Sequence, residues 1–432
     1  MLVFALVINN AISQTPNMKI YEDWVNENLI ELNILDINRI DRIDSILKEK
    51  IIVGIGEPVH ASKTINEIRI FLSKYLIKNH SFNIIATEMP FYAGILVNDY
   101  VLNNKGSREE IIEVLGRHHF FNVCSEFIDF IEWVKDYNQK NINKVQMFGF
   151  DIQMNLTLLN DITNIFTELD IEFSNELIKS RQLIDKAQGG WFARPVSEDK
   201  NYVLNVLNNA LTNLELYKDR INNYDLTKQK IEVIICDLEW RNCSDEESFG
   251  TRAKYNSDVI KWIFKNNEES KVILLAHSGH LGKSHILEPK IRTNEPDESL
   301  VLFEKENITG FWLKEYFGQY YYFIGLQFRE GTFLGFNPYN EYEFESLTVT
   351  YPSENSFNGL LSKAKSDFFY IETKATKNIS QEVKNYLSSF QNIYSIGAAY
   401  DYKYMKSILS EYFDAIVFIK DITESEMTSN PE

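Results

Sequence analysis

Two glutamates and three histidines of this chain sit where acid–base chemistry could use them. Glu57 and His60 follow the apolar run Ile51 to Ile55, Glu88 follows Asn83 to Thr87, and His277 and His280 follow Lys271 to Ala276. A carboxylate just past a buried run is rarely left without a partner. An imidazole beside it gains an oriented ring and a nitrogen that accepts a proton near neutral pH. His60, oriented by Glu57 or Glu88, therefore reads as a base that activates water. The competing readings are a helix-capping acid at Glu57 and a plain loop histidine at His60. Arg69 lies between Ile65 and Leu72 on a predicted helix, on the side facing the sheet. A guanidinium there demands a carboxylate or an anion, with Glu57 or Glu88 the expected partner. The alternative is an arginine whose stem snorkels at the edge of the stripe.

His277-Ser278-Gly279-His280 could be read as a metal pair. Its spacing differs from H-E-x-x-H on a helix, and no third ligand is evident unless Glu57 and Glu88 supply it. The expectation is a site with neither metal nor cofactor. His80, His118, His119 and His285 show no partnering pattern and read as structural. A G-x-S-x-G elbow is absent, so a serine nucleophile has no support. Gly54-Ile55-Gly56 has Val59 where a dinucleotide loop has its third glycine, and Gly282-Lys283-Ser284 has His277 at the first glycine of a P-loop. Hydride and phosphoryl transfer both lose support.

The elements that must position these residues are short Ile-, Val- and Phe-rich runs alternating with helical patterns. Ile51 to Ile55, Asn83 to Thr87, Val145 to Phe150 and Lys271 to Ala276 are the first four strands expected. Further strands are expected at Tyr321 to Leu326, Phe368 to Ile371, Tyr394 to Ala398 and Ala415 to Ile419. Ile65, Ile68, Leu72, Tyr75 and Leu76 recur at helical spacing and predict a helix from Lys63 to Lys78. The fold class is α/β, a mainly parallel sheet flanked by helices with a large helical insertion. The carboxyl ends of parallel strands share one rim, where such proteins bind ligands. Glu57, Glu88, Asp151 and His277 would all be delivered there.

Residues 19–154 form the first part of this core, 155–240 the insertion, a lid candidate over one sheet edge, and 241–422 the rest of the core. Within the insertion, Gly189 to Pro195 (GGWFARP) breaks the helical pattern and puts Trp191 and Phe192 on a loop, where they are expected to contact substrate. Residues 423–432 are polar and expected to fray. Residues 1–18 carry an apolar run, Leu2 to Ile8, ahead of a small-residue Ala11-Ile12-Ser13, with no Lys or Arg before it. This favours an export signal with a clipped start over a cytoplasmic segment.

The chain has 432 residues, of which 62 are acidic and 44 basic, a net charge of −18. Such a surface repels phosphate backbones and excludes nucleic acid as a partner, while tolerating a cationic small molecule. No run reaches the roughly 20 apolar residues that span a bilayer, so stable membrane insertion is not expected. Cys124, Cys236 and Cys243 have neither disulfide nor metal spacing. Aromatic residues make up 13% of the chain, enough to line an apolar pocket as well as fill a core. A monomer is expected.

V-G-I-G-E-P-V-H at Val53 to His60 resembles the G-E-x-x-H turn of the erythromycin esterase family. T-E-M-P-F at Thr87 to Phe91 is similar to that family's second block, and L-L-A-H-S-G-H-L-G-K at Leu274 to Lys283 resembles its A-H-N-x-H-x-G signature. F-I-G-L-Q-F-R-E-G-T-F at Phe323 to Phe333 looks like a further family segment. The resemblance implies a carboxylic ester hydrolase that opens the lactone of macrolides and so confers antibiotic resistance. It implies His60 as base, with Glu57, Arg69, Glu88, His277 and His280 around it and no metal, and Arg252 and Asp151 toward the substrate. The helix after Arg252 departs from the family pattern, with Ala253 in place of an acid and Val259 in place of an asparagine. The alternatives are a hydrolase of another ester and a non-catalytic haem or iron binder of similar fold.

Overall fold

The computed structural model describes residues 18–32, 41–116, 120–153, 155–186, 197–267, 269–289, 303–341, 343–374, 379–400 and 403–428. The leader candidate up to residue 17, the Trp191–Phe192 loop, His118 and His119 lie outside them.

In chain order the strands are β1 (Ile30–Glu31), β2 (Ile52–Glu57), β3 (Ile84–Pro90), β4 (Gln146–Asp151), β5 (Val272–His277), β6 (Ile286–Pro289), β7 (Phe303–Glu306), β8 (Tyr321–Asn337), β9 (Glu343–Val349), β10 (Phe368–Glu372), β11 (Phe390–Tyr394), β12 (Tyr404–Ile408) and β13 (Ala415–Ile422). The main sheet runs β1-β10-β13-β8-β2-β5-β3-β4, with β9 hairpinned on β8. From β13 to β4 every pairing is parallel. Strands β1, β10 and β9 add antiparallel margins.

Both faces of this sheet are covered, which is why its central strands read as unbroken apolar runs. Val53, Ile55, Ile85, Ile273 and Leu275 face one layer, with the helices Lys63–His80 and Ser125–Lys140. Ile52, Ala86, Val272 and Leu274 face the other, with the helices Asp245–Lys265 and Thr309–Phe317. The Lys63–His80 helix starts where Ser62, in extended conformation, accepts from Ile65 N–H. It ends at Ser81 in the left-handed region, φ 58°.

Four helices occupy most of the insertion: Leu158–Leu169, Ile171–Lys186, Ser197–Leu216 and Tyr224–Arg241. Each packs on the next, and Tyr224–Arg241 rests on Asp245–Lys265, which in turn packs on the edge strand β4. Where the helix Phe91–Asn103 crosses β4, the Cβ of any other residue at Gly94 would come within 1.9 Å of the Gly149 nitrogen. That close approach fixes the strand end carrying Asp151.

Three features differ from the sequence expectation. The strand expected at Tyr394 to Ala398 is instead Phe390–Tyr394, part of a second, antiparallel sheet ordered β11-β12-β6-β7. After it the chain turns at Gly397, φ 70°, and binds the Pro58–His60 turn, with Ile396 N–H on Pro58 O at 2.7 Å and His60 N–H on Gly397 O at 3.1 Å. The start of the 423–432 tail does not fray, because its backbone is paired. Lys63 N–H bonds Thr423 O, Ser425 N–H bonds Ala61 O, Ser125 N–H bonds Glu426 O and Thr428 N–H bonds Val123 O, all at 2.8–3.0 Å. His80 does have a partner, Asp44 at 2.6 Å, on the helix Asp41–Leu47. No helix among the described residues is long and apolar enough to cross a membrane.

Candidate active site

Register alone brings the polar residues together. Glu57 and His277 are direct neighbours across β2 and β5, while Glu88 and Asp151 end the next strands along the same rim. Alternation then sends Glu57 toward the Lys63–His80 helix and Glu88 toward Asp245–Lys265, so the two carboxylates serve opposite sides of the sheet.

On the first side Glu57 Oε1 meets His60 Nδ1 at 2.7 Å, and Oε2 receives Arg69 Nη1. Ser62 supplies the helix cap, so Glu57 is not its capping acid, and Arg69 does not snorkel but is buried on its carboxylate. Burial would push the Glu57 carboxyl up, but Arg69 and the hydrogen bond from His60 outweigh it and hold it below its ordinary value. On the second side Glu88 Oε1 takes His280 Nε2 at 3.0 Å and Arg252 Nη2 at 3.2 Å, while Oε2 accepts the backbone N–H of His277 at 2.9 Å. Against the cost of burial, His280 and Arg252 keep its carboxyl well below the usual range. Both glutamates are therefore ionised at neutral pH.

His277 lies between the two pairs, its ring 5.3 Å from His60 and 6.2 Å from His280. Its Nδ1 accepts from Gly279 N–H at 3.2 Å, which leaves the proton on Nε2, 3.3 Å from Pro58 O. Burial pushes this imidazole down to about 3, with His60 and His280 adding to the effect, so it stays neutral. Because the unfolded chain protonates His277 first, stability falls as pH drops from about 6.5 toward 3. His277→Asn, which can keep the bond from Gly279 N–H but has no titrating ring, should show a shallower loss of melting temperature over that window than the wild type. Parallel curves would mean that His277 takes up its proton in the fold.

Asp151 and Arg252 are turned toward each other. Arg252 donates to Asp151 through Nε at 3.0 Å and Nη2 at 2.7 Å, and Asp151 is fully buried. Asp151 thus holds Arg252 against Glu88 and offers no surface to a substrate. Asn256 Nδ2 adds a contact to Asp151 at 3.4 Å, while Ala253 and Val259 are buried apolar residues of the same helix.

Sequence reasoning missed several members. Asp237 and Arg241 form a buried pair at 2.6 Å, tied through Asn155 to the end of β4. Burial lifts the Asp237 carboxyl to about 6 in spite of Arg241. Their four-residue spacing beside Ile234 and Leu238 is the signal that would have found them, the same logic that singled out Arg69. Among the described residues no group of three or more His, Cys, Asp or Glu is gathered closely enough to hold a metal ion.

The carboxyl rim of this α/β sheet thus carries two carboxylate–imidazole pairs, each backed by an arginine. The chain belongs to the erythromycin esterase family: the pattern that defines erythromycin esterase matches residues 77–422. It is 23% identical to erythromycin esterase type II of Escherichia coli, over 94% of this chain and 99% of that one. Its fold matches a solved succinoglycan biosynthesis protein with a TM-score of 0.79 at 21% identity, covering 96% of this chain and 100% of the other. It also matches a mutant of the erythromycin esterase EreC in its open conformation, with a TM-score of 0.69 at 18% identity, covering 91% and 96%. The protein is a hydrolase of this family.

Proposed function

We propose that the protein opens the lactone ester of macrolide antibiotics such as erythromycin, using a water activated by His60, and thereby confers resistance to them. The observation that carries this reading is the Glu57–His60 pair. Glu57 holds Nδ1, which fixes the ring and leaves Nε2 for water. A water proton passes to Nε2 while its oxygen bonds the ester carbonyl carbon. The tetrahedral oxyanion then collapses, the carbon–oxygen bond to the ring alkoxide breaks, and the imidazolium returns its proton to that alkoxide. The products are a carboxylic acid and an alcohol on one opened chain, heavier by one water.

The charges support the same step. Glu57, Glu88 and Asp151 face two guanidinium groups, those of Arg69 and Arg252. One proton gained at the site would bring these five charges to neutrality. A small cleft lies between Glu57 and Glu88, walled by Arg69, Thr87 and Asn66 on one hand and by Phe121, Phe127, Leu275 and Ala276 on the other.

Mass spectrometry of erythromycin incubated with the protein is expected to show the gain of one water. Exhaustive chelation followed by dialysis is expected to leave that turnover intact. Loss restored by a single divalent ion would move His277 and His280 into a metal site. An unchanged antibiotic alongside hydrolysis of a small activated ester would assign the site to another ester. No hydrolysis of either, with haem absorbance in the purified protein, would favour the binder.

A further inference from the structure

His60 is held on its edge by Glu57 and on its face by a phenyl ring. Phe121 lies 4.2 Å from it, centroid to centroid, with only 7° between the planes. Phe121 belongs to the short 3₁₀ turn Phe120–Val123, which joins neither the strands nor the helices that carry the rest of the site. The paired segment Thr423–Thr428 holds that turn. At its far end Thr428 donates to Val123 O through N–H at 2.9 Å and Oγ1 at 2.7 Å, and Glu426 O accepts Ser125 N–H. At its near end the same segment binds the residues directly after His60, through Ala61 O, Ser62 Oγ and Lys63 N–H. A single strap thus ties the chain just past the imidazole to the chain just past the phenyl ring. Ala61, directly after His60 and bonded to the strap through its carbonyl, sits at φ 47°, a backbone conformation that alanine adopts only under constraint.

We propose that Phe121 is a positioning residue of the hydrolytic reaction, and that the strap Thr423–Thr428 completes the active site by keeping Phe121 flat against His60. The hydrogen bond from Nδ1 to Glu57 fixes where that nitrogen sits but leaves the ring free to swing about the Nδ1–Oε1 line. The phenyl face removes that freedom, so that Nε2 points along one direction. Stacked aromatic pairs carry enough energy to bias a ring by about three- to tenfold. Phe121 also lines the cleft beside Glu57 but carries no group that can take up or give a proton, so its effect is expected on turnover through the ring of His60.

The inference rests on the reading of His60 as the base, and the test separates the two. In the full-length chain, Phe121→Leu is expected to lower kcat about three- to tenfold with KM unchanged, and Phe121→Tyr to restore it. Thr428→Pro removes both bonds to Val123 O and is expected to lower kcat in the same direction, although position 428 lies far from substrate. The ring-proton resonances of His60, read by NMR without substrate, should move in Phe121→Leu and Thr428→Pro and return in Phe121→Tyr. Acylation of His60 by diethyl pyrocarbonate should change rate in step with them. Resonances that move while kcat holds would overturn the positioning role of Phe121. Unchanged resonances in Thr428→Pro would overturn that of the strap. Should no ester be turned over, the reading of the site fails by itself, and an unchanged acylation rate in Phe121→Leu would then overturn this one.

Discussion

His60→Gln is expected to lower ester turnover by at least about a hundredfold while the fold survives, the scale on which a positioned general base acts. Glutamine keeps a side-chain N–H that can reach Glu57 Oε1, so the buried carboxylate retains its partners, with Arg69 still on Oε2. It has no nitrogen that takes up a proton, so only the base is removed. The measurement is kcat on the ester found by mass spectrometry, paired with circular-dichroism melts of both proteins. A well-folded variant within tenfold of the wild type would place the base elsewhere. The alternative would then be water held directly by Glu57, and Glu57→Gln would become the discriminating variant.

Much of this site was legible because strand ends in a parallel sheet obey simple rules. The runs ending at Glu57, Glu88, Asp151 and His277 are mostly apolar since both sheet faces are covered, and as parallel strands they deliver those residues to one rim. Arg69 stood out as a charge on an apolar stripe, and its burial on Glu57 follows from that. Features that depend on pairing over long separations were not legible. Asp44 reaches His80 across 36 residues, and no local pattern announces it. Residues 423–428 are polar because they lie near the surface, yet their backbone is paired to segments some 300 to 360 positions earlier. Phe121 is one of 29 phenylalanines, and nothing in its neighbours marks it as the one that meets His60. The small sheet was hidden for a related reason, since β6 and β7 are four residues each, pair with one another, and reach the rest of the sheet only through β6 and β12, where Leu287 meets Lys406.

The pairing around Arg252 predicts the largest loss of stability. Arg252→Met keeps the apolar stem and most of the volume but leaves Asp151 and Glu88 without their guanidinium. Removing one partner of a buried ion pair costs about 3–5 kcal/mol, because the charge left behind stays out of water with less compensation; Glu88 keeps His280, so the larger share falls on Asp151. Asn256 Nδ2, at 3.4 Å from Asp151, is too distant and neutral to compensate. The loss should depend on pH in a defined sense. In the wild type the Glu88 carboxyl is held well below its ordinary value, so its contribution is present above about pH 4.5 and fades as pH falls further. In the variant the stranded carboxylates bind protons more readily in the folded chain than in the unfolded one, so acid stabilises the variant relative to the wild type. The gap in unfolding free energy should therefore be widest near pH 7.5 and narrow toward pH 5, measured by denaturant titration at both. Adding Asp151→Asn to the variant should recover part of the loss at pH 7.5 and little at pH 5. A gap independent of pH would show that Arg252 stabilises through packing of its stem alone, and that the carboxylates it joins are satisfied by other groups. Arg252→Lys separates the contributions further. A lysine restores one charge but not the two-pronged contact to Asp151 with its branch to Glu88. It should regain the pH-dependent part of the stability while leaving Glu88, and through it the backbone of His277 and the ring of His280, less firmly held.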